Sequence, residues 1–161
     1  MEIYLLRHGM AEQGIAGGSD SQRALTEEGR RALRDVLRRA HRADVNPSLI
    51  LSSPYRRAVE TAREAAEALG YRSPVEQTKA LLPDAPPQDV WDEIRQRQGE
   101  SAVLLVGHEP MMSSLASFLM GCPSLSLDFK KAALVRIDCG RLSAQPAGTL
   151  KWMLVPAVCR D

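Results

Sequence analysis

Two hydrophobic periods alternate along this chain. Short apolar runs bounded by polar or glycine-containing segments fall at Glu2–Leu6 (EIYLL), Ser48–Leu51 (SLIL) and Ser101–Val106 (SAVLLV), and predict buried strands, the last with the strongest signal. Between the first two, Leu33, Val36, Leu37 and Ala40 recur at helical spacing. With Thr26 as N-cap and Glu27 and Glu28 in the first turn, they predict a helix reaching about Ala43. Its opposite face, Arg30 to Arg42, is strongly basic. Ser53-Pro54 reads as an N-cap followed by proline at the first helical position. Ala58, Val59, Ala62, Ala66 and Leu69 form the inward stripe of that helix, and Gly70 ends it. A brief strand is expected near Pro74–Gln77. A helix from about Gln88 to Gln98 follows, with Val90, Trp91 and Ile94 inward, and another carries Met111, Met112, Leu115, Phe118 and Leu119 up to Gly121. Ala132–Asp138 and Thr149–Val155 predict a terminal β-hairpin across Gly140–Gly148. Met10–Arg23, rich in Gly and Ser, reads as a loop, and Leu81–Pro87 as irregular chain.

Strands and helices alternating in this order predict an α/β fold: a three-layer α/β/α arrangement around a mostly parallel, mixed central sheet, with a C-terminal β-hairpin. A length of 161 residues fits one domain over residues 1–161. Ligands in such folds collect beyond the carboxyl ends of the strands, near a switch in strand order. The strand ends are therefore where chemistry is sought.

Composition narrows the options. A 44% hydrophobic and 25% charged chain is ordinary for a soluble globular fold. Twenty-one Lys and Arg against 20 Asp and Glu leave a net charge of +1, so no long-range field favours nucleic acid or a membrane surface, and any anion site must be local. Cys122, Cys139 and Cys159 form no CxxC pair and have no interleaved His at metal-ligand spacing, which points to neither a disulfide framework nor a zinc site. Met1–Leu6 is too short for a signal-peptide core, and no window resembles a membrane span. A cytoplasmic protein is expected.

Strand one ends in Arg7-His8-Gly9, strand two is followed by Ser53-Pro54-Tyr55-Arg56-Arg57, and the SAVLLV strand ends in Gly107-His108-Glu109-Pro110. Two of the three histidines thus stand at strand ends, and His41, on the basic helix, is expected in solvent. Together these residues describe a pocket for a dianionic group: guanidinium forks, imidazoles able to donate or attack, and helix N-termini. Arg57 is placed in a first helical turn, and Gly9 is expected to leave room for a tetrahedral group beside His8. A nucleophilic histidine needs an unprotonated nitrogen, usually secured when the other ring nitrogen donates to a carbonyl or carboxylate. Charge developing on the equatorial oxygens would meet Arg7, Arg57 and His108, a chemistry that calls for neither metal nor cofactor.

Four segments, LLRHGMAE, the RALT of Arg23–Thr26, SSPYRRAVET and VGHEP, resemble the histidine phosphatase superfamily, also called phosphoglycerate mutase-like, and span residues 5 to 110. The short chain and the closeness of Arg23 to the first motif are similar to the small SixA-type phosphohistidine phosphatases. The resemblance implies that His8 becomes phosphorylated, that Arg7, Arg57 and His108 bind the phosphoryl group, and that water then attacks the phosphoenzyme. It selects Arg57 over Arg56, since the family's arginine precedes Ala, here Ala58, and stands four residues before Thr61. It also implies that Arg23 reaches the phosphate, against the alternative of a solvated loop residue.

Members that cleave phosphate esters often place a Glu where this chain has Ala80–Pro87. Asp84 is the only carboxylate there and is the candidate general acid, with Asp89 and Glu109 as further candidates. A leaving imidazole needs less acid help than an alkoxide. The expected function is therefore removal of phosphate from phosphohistidine on a signalling or phosphotransfer protein, through a phosphohistidine enzyme intermediate. A phosphomonoesterase or mutase acting on a small phosphorylated metabolite is the alternative, and a phosphate-dependent scaffold protein without turnover a third reading.

Overall fold

The computed structural model describes residues 1–14 and 16–160; Ile15, within the loop predicted at Met10–Arg23, and Asp161 lie outside the described residues. Six strands, β1 (Glu2–Arg7), β2 (Leu49–Ser52), β3 (Glu76–Gln77), β4 (Ala102–Gly107), β5 (Leu134–Asp138) and β6 (Thr149–Leu154), form one sheet in the order β3-β2-β4-β1-β5-β6. The pairs β2·β3, β2·β4 and β1·β4 are parallel, while β5 runs antiparallel to both β1 and β6. The sheet is thus mixed, with the C-terminal hairpin as its antiparallel edge.

Strand pleating explains why the central strands read as unbroken apolar runs. Ile3 and Leu5 of β1, with Val103 and Leu105 of β4, enter a core shared with α3 (Pro87–Arg95) and α4 (Met111–Leu119). The intervening Tyr4, Leu6, Leu104 and Val106 enter a second core under α1 (Glu27–Arg42), α2 (Arg56–Ala68) and α5 (Pro156–Cys159). Helices on both faces complete the three layers. The chain leaves β1 towards α1 on one face and leaves the neighbouring β4 towards α4 on the other. Because Arg7 pairs with Gly107 in register, the carboxyl ends of β1 and β4 finish level at this divergence.

Several boundaries differ from the sequence expectation. Thr26 does cap α1, its Oγ1 accepting from the Gly29 N–H at 3.0 Å. Ser53-Pro54 does not begin α2: the helix starts at Arg56 behind Tyr55, and Ser53 is fully buried with its hydroxyl bonded to His108 Nε2 at 2.8 Å. The side chain expected to cap a helix accepts from the Tyr55 N–H at 3.3 Å ahead of the helix and also joins two strand ends. The buried stripe of α2 is Arg57, Ala58, Thr61, Ala62 and Ala65, with Val59 and Ala66 half-buried at its margins. Helix α3 stops at Arg95, short of Gln98, as the Arg97 N–H turns back to the Ile94 carbonyl at 2.9 Å. Strand β5 starts at Leu134 rather than Ala132, because Ala132 sits at φ 61° and its N–H reaches the carbonyls of Arg7 and His8, each at 3.1 Å. Lys79–Leu81 forms a 3₁₀ turn that buries Leu81 at the start of the segment expected to be irregular, and α5 had no clear sequence signal. Met111 and Met112 are core residues, and the three cysteines are free thiols. Among the described residues no helix is long and apolar enough to cross a membrane.

Candidate active site

His8 stands one residue beyond β1 and is only 5% exposed. Its backbone N–H donates to the Gly107 carbonyl at 3.0 Å, which locks the end of β1 to the end of β4. Its ring Nδ1 lies 2.7 Å from the Gly9 carbonyl oxygen. A carbonyl only accepts, so in the neutral ring the proton belongs on Nδ1 and the lone pair on Nε2. Consistently, Arg57 Nε donates to that Nε2 at 3.3 Å. Burial, then the charges of Arg57, Arg7 and Lys131, outweigh the Gly9 carbonyl and push the His8 pKa down to about 4. At neutral pH the ring is uncharged, with the lone pair of Nε2 facing Arg57.

His108, one residue beyond β4, is 1% exposed, and its ring centroid lies 4.9 Å from that of His8. Nε2 is held by the Ser53 hydroxyl at 2.8 Å, while Nδ1 is buried and has no partner among the described residues. Burial, followed by His8 and Arg57, lowers its pKa to about 3. At neutral pH His108 is therefore uncharged. The edge of the Tyr55 ring lies against His108, centroids 5.1 Å apart, and the Arg57 guanidinium stacks over that tyrosine at 5.0 Å. Arg7 is half-buried, donates through one Nη to the Phe129 carbonyl at 2.6 Å, and has a buried Nε with no partner. Two unsatisfied buried nitrogens and two guanidinium groups gathered around the histidine pair suit a group carrying several oxygens.

Arg57, the second residue of α2, is 5% exposed and already engaged by an internal anion. Its Nη1 donates to the Asp20 carbonyl at 2.7 Å and its Nη2 to Asp20 Oδ2 at 2.9 Å. The same carboxylate accepts from Arg23 Nη1 at 2.9 Å, and Arg23 Nε donates to the Glu12 carbonyl at 2.7 Å. Arg57 foremost, with Arg23 behind it, holds the Asp20 carboxyl below the usual carboxylate range. Arg23 thus joins the site through Asp20 and not by a direct contact with either histidine.

Gly9 also acts otherwise than expected. Its N–H is taken by Thr61 Oγ1 at 3.2 Å, and a Cβ there would meet the Gly29 carbonyl at 3.1 Å and Leu25 Cδ2 at 3.2 Å. The missing side chain makes room for the start of α1, not for a ligand beside the ring. Asp84 is exposed in the turn after Leu81 and makes no hydrogen bond or ion pair among the described residues. Glu109 accepts from the Ser113 N–H at 3.0 Å and Ser113 Oγ at 2.6 Å, tying up both oxygens at the start of α4. Asp89 is exposed in the first turn of α3. Four parts of the site were missed in the sequence: Ser53, Asp20, Thr61 and Tyr55. Ser53, Tyr55 and Thr61 lie inside the quoted SSPYRRAVET segment, where their places in the motif were the available signal.

Among the described residues no cluster of three His, Cys, Asp or Glu side chains is placed to hold a metal ion. Residues 3–82 match the family model of the histidine phosphatase superfamily (branch 1). The chain is 30% identical over 164 residues to an uncharacterized protein of Picosynechococcus sp., covering 96% of this chain and 99% of that one. It is 27% identical over 159 residues to the phosphohistidine phosphatase SixA of Escherichia coli strain K12, covering 97% and 94% of the two. A solved structure of the protein histidine phosphatase SixA complexed with tungstate superposes with a TM-score of 0.89 at 27% identity, over 99% of this chain and all of that one.

Proposed function

The chain belongs to the histidine phosphatase superfamily as a SixA-like member, and from that premise we propose that His8 takes the phosphoryl group from a phosphohistidine borne by another protein. The observation that carries the reading is the 2.7 Å contact of His8 Nδ1 with the Gly9 carbonyl, which leaves Nε2 unprotonated beside Arg57 and His108. In the first step Nε2 forms a bond to phosphorus while the bond from phosphorus to the substrate imidazole breaks. The electron pair goes to the departing nitrogen, which is protonated from solvent. Arg7 and Arg57 meet the charge on the equatorial oxygens, so the step is positioning plus electrostatics. The dianion reverses the local field, which raises the pKa of His108 and favours a donor form towards the phosphoryl oxygens. In the second step water attacks phosphorus, the bond to Nε2 breaks, inorganic phosphate leaves, and His8 returns to its neutral state.

The state of the carboxylates supports this substrate class: Asp20, which reaches the site, is held ionised by Arg57 and Arg23 and so is no proton donor. Glu109 has both oxygens bound at Ser113, and Asp84 is exposed without partners, so neither is set to protonate an alkoxide. The ester-cleaving or mutase alternative would require Asp84 to do so. The positive charge comes from guanidinium groups, among which a metal cation would be repelled, and the reading therefore includes neither metal nor cofactor. The test is competition between a phosphohistidine protein and a panel of sugar phosphates and phosphoglycerate, with acid-labile label on the enzyme lost in His8→Ala. Much faster turnover of the esters than of the phosphohistidine protein would sink it.

A further inference from the structure

A groove of about 370 Å³ opens beside the nucleophile, between the first half of α1, the turn before β5 and α5. Its link to the catalytic centre is covalent and short. Met10, on its wall and 38% exposed, follows His8 by two residues, and Ala132, also on its wall, donates its N–H to the His8 carbonyl at 3.1 Å. From α1 come Glu28, Arg31 and Asp35, positions three to four apart and hence on one helix face. From the other walls come Lys131 and Arg160.

The charges here are arranged differently from those elsewhere on α1. Arg30 is paired with Glu60 and Glu64 at 2.9 and 2.7 Å, and Arg34 with Glu27 at 2.9 Å. In the groove, Arg31, Lys131 and Arg160 make no hydrogen bond or ion pair among the described residues. Asp35 is held by Arg38 at 3.0 Å, which leaves Glu28 as the one carboxylate without such a partner. With Asp35 offset by Arg38, three cations face one unpaired carboxylate, so the groove is locally cationic, and the side chains of those cations are free to pair with an incoming chain. Lys131 also adds to the field that keeps His8 neutral, and it directly precedes Ala132, whose N–H bonds the His8 carbonyl.

We propose that this groove docks an acidic segment of the protein substrate, so that the phosphohistidine is delivered to His8 by the carboxylates around it. The inference rests on the phosphohistidine reading and adds the surface chemistry of the partner. Steering by such charges acts on kcat/KM and weakens with salt.

The test uses the whole protein and three probes: a phosphohistidine peptide flanked by Asp and Glu, the same peptide flanked by Ser and Gln, and free phosphohistidine. The expected result is a kcat/KM about tenfold higher for the acidic peptide at low salt, a preference that shrinks at high salt. The double variant Arg31→Glu, Arg160→Glu should abolish that preference while leaving turnover of free phosphohistidine unchanged, which also reports an intact fold. Equal rates for both peptides, or a preference untouched by the double variant, would overturn the docking surface and leave the phosphohistidine reading standing. Failure of the folded protein to turn over any of the three probes would overturn that reading itself, and the docking surface with it.

Discussion

Asp20 occupies the guanidinium of Arg57, which under the proposed function meets the phosphoryl oxygens. On that reading substrate binding displaces Asp20 from Arg57, and the cost of that displacement is open to measurement. Asp20→Asn removes the charge but keeps the shape and the backbone carbonyl that accepts from Arg57 Nη1 at 2.7 Å. The Arg57 and Arg23 contacts to the carboxylate are both 2.9 Å, for which Coulomb's law at surface-like permittivity gives several kcal/mol gross. The Asp20 side chain is 56% exposed, however, so water and salt screen the pair. Exposed pairs are worth about 0.2–1 kcal/mol net. With two cations on one carboxylate the upper end applies, and about 1 kcal/mol corresponds to roughly fivefold in affinity. Asp20→Asn should accordingly tighten binding of inorganic phosphate or tungstate about three- to fivefold. Titration calorimetry or competitive inhibition at constant ionic strength would measure it. Weaker anion binding in a folded Asp20→Asn protein would refute the reasoning, since it would mean that Asp20 holds Arg57 ready for the anion and does not compete with it.

Three further outcomes follow from the same geometry. Ser53→Ala leaves His108 Nε2 buried without a partner, which should cost about 1–3 kcal/mol in urea unfolding and lower kcat more than it changes KM, with recovery in Ser53→Thr. Gly9→Ala puts a Cβ 3.1 Å from the Gly29 carbonyl and should destabilise by about 1–3 kcal/mol, read as a lowered denaturant midpoint with an unchanged slope. The two buried histidines make stability depend on acid. Their folded pKa values, about 4 for His8 and about 3 for His108, lie below the ordinary histidine value of about 6.5, so between these limits the unfolded chain binds more protons. Stability should be full above about pH 6.5 and fall as the pH drops through 6 towards 4, and replacing His108 by Asn should flatten that slope in thermal melts across the range.

Most elements were legible because their causes are local. The apolar runs of β1, β2 and β4 and the helical spacing of Leu33, Val36, Leu37 and Ala40 record burial that the structure shows. Errors came where a side chain served a distant partner. Ser53 has the composition of an N-cap and accepts from the Tyr55 N–H, yet its hydroxyl also bonds a residue 55 positions away, and helix α2 begins only at Arg56. Gly9 reads as room for a ligand, yet what it admits is the start of α1, twenty residues on.

For the site, the sequence by itself determined which residue types stand at the strand ends: Arg7 and His8 after one apolar run, Arg57 after another, His108 after a third. Parallel pairing of β1 with β4 in matched register turns that linear spacing into two imidazoles with centroids 4.9 Å apart. Only the tertiary structure decided their state. The tautomer of His8 depends on where the Gly9 carbonyl points, its neutrality on burial under surrounding chain, and the availability of Arg57 on a carboxylate from the Asp20 turn. Each is a through-space interaction falling off over a few ångströms, and residues far apart in the chain come within that range only once both faces of the sheet are covered.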